Sequence, residues 1–279
     1  MKEYDYLIVG QGLAGTAMAQ TLLSLNKQIA VVEQETTLAT ASRVSAGIFN
    51  PFTGQRLTKT WLGEILFPFL HSFYREAEQL TQTKILYDNH VYMSIDSQEK
   101  QNDFLARPQE DYDVFQVRFL TRAPYACIKD TSGGFITLVS GWLDVANYLS
   151  TFRTYLQQKN SWIKDTFLLD DIHLEAEKVL WKGRSFKKII FCEGINAKNN
   201  PLWKWLPFKG VKGEILTVRF SENPDFTHII NRGCWILPLR NGFYKIGSTY
   251  EFHYRDELPS EAGKKEIFTK LHILTSPLM

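Results

Sequence analysis

An apolar run, Tyr6-Leu7-Ile8-Val9, ends in Gly10-Gln11-Gly12-Leu13-Ala14-Gly15, and the glycines open directly into a helical pattern. That order constrains the chain more than the glycines do alone. Strand, glycine turn and helix in succession form the arrangement that binds a dinucleotide pyrophosphate. Gly10 permits the tight turn, Gly12 lets backbone approach phosphate, and Gly15 lets helix and strand pack closely. The unsatisfied N–H groups and the positive dipole end of the helix then face the anion. A second apolar run, Ile29-Ala30-Val31-Val32, ends in Glu33, 23 positions after Gly10. An acidic residue there accepts hydrogen bonds from ribose hydroxyls and repels a 2′-phosphate. The bland alternative is a glycine turn in an ordinary α/β domain. Strand, helix, strand and terminal acid together favour the dinucleotide site.

A chain of 279 residues can bury a sizeable core and accommodates about two domains. Its 44% apolar and 22% charged content is that of a soluble globular protein, and the net charge of +2 gives no ground for a nucleic-acid partner. Cys127, Cys192 and Cys234 have no metal-ligand spacing, and their odd number argues against a disulfide framework. They read as reduced thiols. With no signal peptide ahead of the first strand and no apolar stretch of the roughly 20 residues a membrane span needs, the expectation is a cytoplasmic protein without a membrane partner.

Residues 14–25 place Ala17, Leu22, Leu23 and Leu25 among small residues, with Asn26 at the C-cap: a helix packed on a sheet. The stretch Thr36–Ser45 is polar and too irregular for a strand, and 46–56 is rich in turn formers. Residues 57–80 predict a helix with Trp61, Ile65, Leu66, Phe69, Phe73 and Leu80 on its apolar face, kinked or divided at Pro68. From Ile85 to Leu138, runs such as 91–95 and 114–117 predict a mainly antiparallel, strand-rich region. Gly141 is expected to begin a helix carrying Trp142, Val145, Ala146, Leu149 and Phe152. Strands follow near 162–169 and 172–181, and then an apolar strand, 188–192, runs into Glu193-Gly194, a second glycine at the carboxyl edge of a parallel sheet. Residues 206–250 again read as strands, with a hairpin at Asn241-Gly242, and 259–274 as one amphipathic helix started by Pro259-Ser260-Glu261.

Four segments carry a further signal. They are the glycine turn with Glu33; Ala41-Ser42-Arg43-Val44-Ser45-Ala46-Gly47; Gly141-Trp142-Leu143-Asp144 with Phe191-Cys192-Glu193-Gly194; and Trp235-Ile236-Leu237-Pro238 followed by Asn241-Gly242 and 246–251. In this order they resemble the FAD-dependent oxidoreductase family of D-amino-acid, glycine and sarcosine oxidases, which includes the oxidase domain of the bacterial enzyme that modifies tRNA wobble uridine. The resemblance runs from residue 1 to about 274. It implies an α/β fold: a Rossmann-like FAD-binding domain from 1–80 and 141–208, with an inserted, mainly antiparallel α+β substrate domain from 81–140 and 209–279. It implies that the strands at 5–9 and 188–192 run parallel in one sheet. The cofactor-binding residues it implies are Gly10, Gly12, Leu13, Ala14, Gly15, Glu33, Gln34, Ser42, Arg43, Ser45, Ala46, Gly47, Glu193 and Gly194, with Phe167 carried over on an adenine-contacting strand. A flat isoalloxazine needs backbone N–H groups and excludes bulky side chains, which suits Ser45-Ala46-Gly47.

The resemblance also implies the chemistry: hydride transfer from the carbon bearing an amine to the flavin, with a small-molecule amine or amino acid as substrate. Orientation and the cofactor carry most of such a reaction, so no catalytic triad is required. The six histidines are scattered, with neither metal spacing nor an obvious acidic partner, and no metal is expected. Trp235 and Arg56 are the candidate substrate contacts, and Lys59 accompanies Arg56; packing and a solvated face are their respective alternatives. The family's pattern continues beyond the last helix with an Arg-Pro strand and a glycine-rich loop that this sequence lacks. The expectation is therefore impaired oxidase activity. The alternatives are a non-catalytic FAD- or nucleotide-binding remnant and a flavin oxidase of the tRNA-modifying type.

Overall fold

The computed structural model describes residues 2–34, 40–54, 56–129 and 132–276. The chain forms two compact units, each built from separated stretches: 1–45, 75–85 and 145–210 in the first, and 46–74, 86–144 and 211–279 in the second. Residues 46–74 and 141–144 thus cluster with the second unit, whereas the sequence reading grouped them with the cofactor domain.

The first unit is organised by a six-stranded sheet. Its strands are β1 (Lys2–Val9), β2 (Ile29–Glu33), β3 (Trp162–Lys164), β4 (Ile172–Leu174), β5 (Val179–Trp181) and β6 (Arg184–Phe191), in the spatial order β3-β2-β1-β6-β5-β4. The first four run parallel, with Leu7 opposite Ala30 on one side and Ile189 on the other, while β5 and β4 add an antiparallel hairpin. Leu7, Ile8, Ala30 and Val31 are fully buried. Continuous apolar runs of this kind suit parallel strands covered on both faces. The expected parallel pairing of 5–9 with 188–192 is therefore present. Covering elements are α1 (Leu13–Ser24), a single short turn α2 (Ala41–Val44), and α3 (Val145–Gln158). Along α3, Val145, Tyr148, Leu149, Phe152 and Leu156 are buried, the 3–4 spacing of one helix face. Asn26 takes positive φ just past the end of α1, as a helix terminator does.

Two details of this unit depart from the sequence reading. The helix expected from Gly141 starts at Val145, because Gly141–Leu143 is a strand pairing with Ile48–Phe49 and Leu86–Tyr87 in the second unit. Phe167 sits in the loop after β3 rather than in a strand. Of the stretch from Thr36 to Ser45, Thr36–Ala39 lie outside the described residues.

In the second unit a seven-stranded sheet runs in the order 215–218, 244–247, 235–238, 229–231, 91–94, 134–137, 117–120. All neighbours are antiparallel except 229–231 with 91–94. The Asn241-Gly242 hairpin forms as expected between 235–238 and 244–247. One face of the sheet packs Ile230, Ile236 and Ile246 against Ile267, Leu271 and Leu274 of the helix Glu261–Leu274. An aromatic cluster of Phe52, Phe104, Phe115 and Phe135 forms another core, with Phe104 and Phe135 stacked at 4.0 Å. The helix predicted over 57–80 spans Gly63–Thr81 and continues through Pro68, which does not divide it.

Candidate cofactor site

Parallel pairing brings the chain to the same sheet edge after β1, β2 and β6. The pairing extends past the strand ends, with Gly10 N–H donating to Val32 O at 2.9 Å and Cys192 N–H to Val9 O at 2.7 Å. Gly10–Gly15, Glu33-Gln34 and Glu193-Gly194 consequently share one carboxyl edge, where α/β sheets bind ligands. Backbone geometry explains two of the glycines. Gly10 has φ +98°, and a Cβ there would lie 2.4 Å from Cys192 O. A Cβ on Gly15 would lie 1.9 Å from Gly10 O, so only glycine lets α1 start this close to β1.

The N-terminus of α1 has no side-chain cap from its own Gly12. Leu13, Ala14 and Gly15 occupy its first turn, ahead of any intrahelical acceptor, and the N–H groups of Ala14 and Gly15 suit an anion. The Leu13 N–H donates to Ser42 Oγ at 3.1 Å, which brings α2 to this end of the helix. Arg43 follows on α2, and Ser45 Oγ donates to Ser42 O at 2.9 Å. Glu33, half-buried at the end of β2, accepts a hydrogen bond from the Gln11 main-chain N–H through Oε2. Its remaining lone pairs can still serve hydroxyl donors. An N-terminal amide cluster beside a carboxylate is the donor and acceptor set a pyrophosphate and an adjoining ribose require, and the residues fit such a group.

The other candidates are distributed as follows. Gln34 is exposed directly after β2. Glu193 accepts from Asn200 Nδ2 at 2.8 Å, so its side chain braces the turn Gly194–Asn199. A Cβ on Gly194 would meet nothing within 4 Å, leaving the backbone there open to approach. The Phe167 ring packs edge-on against Phe191 at 5.7 Å and near Trp181 at 6.0 Å. Ala46 and Gly47 belong to the second unit, where Gly47 O accepts from Leu143 N–H at 2.9 Å.

Both substrate-contact candidates lie in the second unit. Trp235 is half-buried, and a Cβ on its cross-strand neighbour Gly247 would come within 2.5 Å of its ring, so the glycine makes room for the indole. Arg56 is exposed, and its carbonyl accepts from Arg107 Nη2 at 3.1 Å. Lys59 is engaged with Asp111 at 2.9 Å. A cavity of about 100 Å³ in this unit, lined by Phe67, His71, Phe115 and Val139, falls short of the roughly 300 Å³ that a drug-sized ligand needs.

Nucleophilic thiol chemistry has no support. Burial raises the pKa of Cys127 and Cys192 and pushes Cys234 up to about 11. Among the described residues no group of three or more His, Cys, Asp or Glu side chains is placed to hold a metal ion, and no helix is long and apolar enough to cross a membrane.

Sequence reasoning missed Gln11 and Arg153. The Gln11 side chain is buried under the glycine turn, with Nε2 donating to Leu149 O at 3.0 Å and Oε1 accepting from Arg153 Nε at 2.6 Å. A polar residue between the first two glycines was the available signal.

Residues 5–273 match the DAO family, described as FAD dependent oxidoreductase. Similar solved structures include glycine oxidase from Geobacillus kaustophilus, at TM-score 0.74 and 18% identity, covering 99% of this chain and 79% of that one. L-proline dehydrogenase from P. horikoshii superposes at TM-score 0.76 and 9% identity, with 98% and 77% covered. L-α-glycerophosphate oxidase from Mycoplasma pneumoniae, solved with FAD bound, gives 0.76 and 14%, with 100% and 80% covered. At these identities the structures establish a shared fold.

Proposed function

The chain belongs to the family of FAD-dependent oxidoreductases, and from that premise we propose that it oxidises the C–N bond of a small amine or amino acid. FAD, when bound, supplies the two-electron acceptor for such a reaction. The chain's own residues bind and orient. The first-turn N–H groups of Ala14 and Gly15 take the pyrophosphate beside Leu13, whose own N–H is held by Ser42 Oγ; Gly12 keeps the approach clear, and Gly10 permits the turn. Glu33 accepts from the adenosine ribose, with Gln34 beside it, and Phe167 lines the adenine side. Ser42 and Arg43 border the phosphates. Ser45, Ala46 and Gly47 offer small side chains and main-chain amides to the flat ring, as do the main-chain groups at Glu193 and Gly194. Trp235 and Arg56 contact the substrate, the indole by packing on its apolar part and the guanidinium by meeting its carboxylate.

The observation that best supports this reading is the parallel pairing of β1 with both β2 and β6, which gathers the glycine turn, Glu33 and Glu193-Gly194 at one edge. Glycine oxidase and iminodiacetate oxidase are among the proteins sharing the fold, and their names motivate the substrate class. The test is anaerobic mixing of FAD-loaded protein with glycine, sarcosine, iminodiacetate, L-proline and D-alanine. Visible flavin absorbance reports reduction. Bleaching by at least one amine, with the corresponding carbonyl product, is expected. Bleaching by glycerol 3-phosphate alone moves the substrate to an alcohol, and no bleaching by any of them leaves a non-catalytic FAD-binding protein.

A further inference from the structure

We propose that Gln11 and Arg153 are positioning residues that lock the glycine turn and the Glu33 carboxylate in the conformation that receives the adenosine diphosphate half of FAD. The inference rests on the cofactor reading above and extends it to residues outside the glycine pattern. Gln11 lies between Gly10 and Gly12, the two residues with the greatest backbone freedom in the turn. Left untethered, that segment loses substantial conformational entropy each time a ligand orders it.

Instead, Gln11 is held at three points. It is only 3% exposed, so its amide must find partners within the protein. Nε2 donates to Leu149 O at 3.0 Å, and Oε1 accepts from Arg153 Nε at 2.6 Å. Leu149 and Arg153 are four residues apart on α3, so a single helix face holds both ends of the amide. The third point is the main-chain N–H of Gln11, which donates to Glu33. Arg153 is itself fixed, with its guanidinium 5.1 Å from the Trp162 ring centroid in β3. A further polar bond ties α3 to α1 itself: Tyr148 O–H donates to Gln20 Oε1 at 2.9 Å. Elements 142 positions apart in sequence thereby set one short turn.

Calorimetric titration with FAD, well below the unfolding temperature, tests the inference on Gln11→Met, Arg153→Met and the double variant. Methionine keeps an apolar stem in each place and removes the bond between them. Each single variant is expected to bind FAD about tenfold more weakly, the size of one charge-assisted hydrogen bond. The losses should not multiply in the double variant, because either single change already deletes the bond between the two side chains; Gln11→Met, which also gives up its bond to Leu149 O, should be the weaker single variant. Unchanged affinity in either single variant, or losses that simply multiply in the double, overturns the proposal. A purely structural role would lower the unfolding midpoint without this coupling. Should Arg153→Met fail to fold, Arg153→Lys serves instead: it keeps a cation over Trp162, lacks the Nε donor, and is expected to show the same loss. Gly12→Val separates the two readings. If that variant binds FAD normally, the cofactor site itself is wrong; if it does not bind while Arg153→Met binds as the parent does, only the clamp is wrong.

Discussion

The main-chain N–H of Gln11 donates to the carboxylate of Glu33, 22 positions further along the chain. This bond joins the turn after β1 to the end of β2 and fixes one oxygen of the acid. Orientation of an acceptor before its ligand arrives reduces the ordering cost of binding.

Replacing Glu33 with Gln keeps an acceptor for Gln11 N–H and removes the charge. FAD binding should weaken by about 1.5–3 kcal/mol, the range for a charged hydrogen bond. Calorimetry on the variant checks this, and equal affinity would show that Glu33 serves the fold alone. Glu33→Arg should not produce NADP-dependent turnover, because the family's cofactor is FAD.

Gly10→Ala should damage stability rather than a ligand contact. The residue sits at φ +98°, and the added Cβ would approach Cys192 O to 2.4 Å. Strained positions of this kind cost about 1–3 kcal/mol each, and main-chain crowding against β6 adds to that. A thermal melt of the apo-protein should show a lower midpoint. An unchanged midpoint would mean that the turn relaxes without cost.

The helix Glu261–Leu274 begins on a polar network that titrates. Ser260 Oγ accepts from Gly263 N–H and donates to Glu214 Oε1 at 2.7 Å, while Ser260 N–H donates to Oε2 at 2.8 Å and Lys212 Nζ lies 3.2 Å away. Burial pushes the Glu214 pKa up, but the bonds from Ser260 and Lys212 outweigh it and hold the carboxyl below its ordinary value of 4.5. A depressed folded-state pKa contributes stability that is present above the unfolded value and lost as pH falls through the folded one. Stability should therefore drop below about pH 4.5, and Glu214→Gln should flatten that drop. Ser260→Ala should cost about 1 kcal/mol at neutral pH, as loss of an N-cap does. Denaturant titrations at several pH values test both statements.

What the sequence revealed followed from local pattern. Tyr6–Val9, Ile29–Val32 and Lys188–Phe191 are apolar runs next to glycine or acid, so their strands and shared edge were legible. Ser260 announced the last helix, which its side chain caps. Long-range pairing was not legible. Trp142 fits a helical spacing with Val145 and Leu149, yet it lies in a strand where it stacks on Tyr87 at 4.6 Å. Tertiary contact overrides periodicity there. At Pro68 the two alternatives, a kink or a division, were not separable by local rule: an interior proline forfeits one hydrogen bond, and the helix Gly63–Thr81 continues through it undivided. The Gln11–Arg153 bond was invisible because it joins side chains 142 positions apart, and no local rule encodes such a pair.

The central claim is that FAD binds on the Gly10–Gly15 turn beside Glu33, and the most direct measurement is a paired FAD titration of the parent chain and Gly12→Val, with visible absorbance and calorimetry as readouts. A Cβ at residue 12 would already lie 3.2 Å from Ser42 Oγ, and the valine methyls would fill the path proposed for the pyrophosphate. The account predicts a yellow, saturable complex for the parent and none for a Gly12→Val chain that still melts cooperatively. Equal FAD affinity in the two proteins would contradict it and move the cofactor away from the turn.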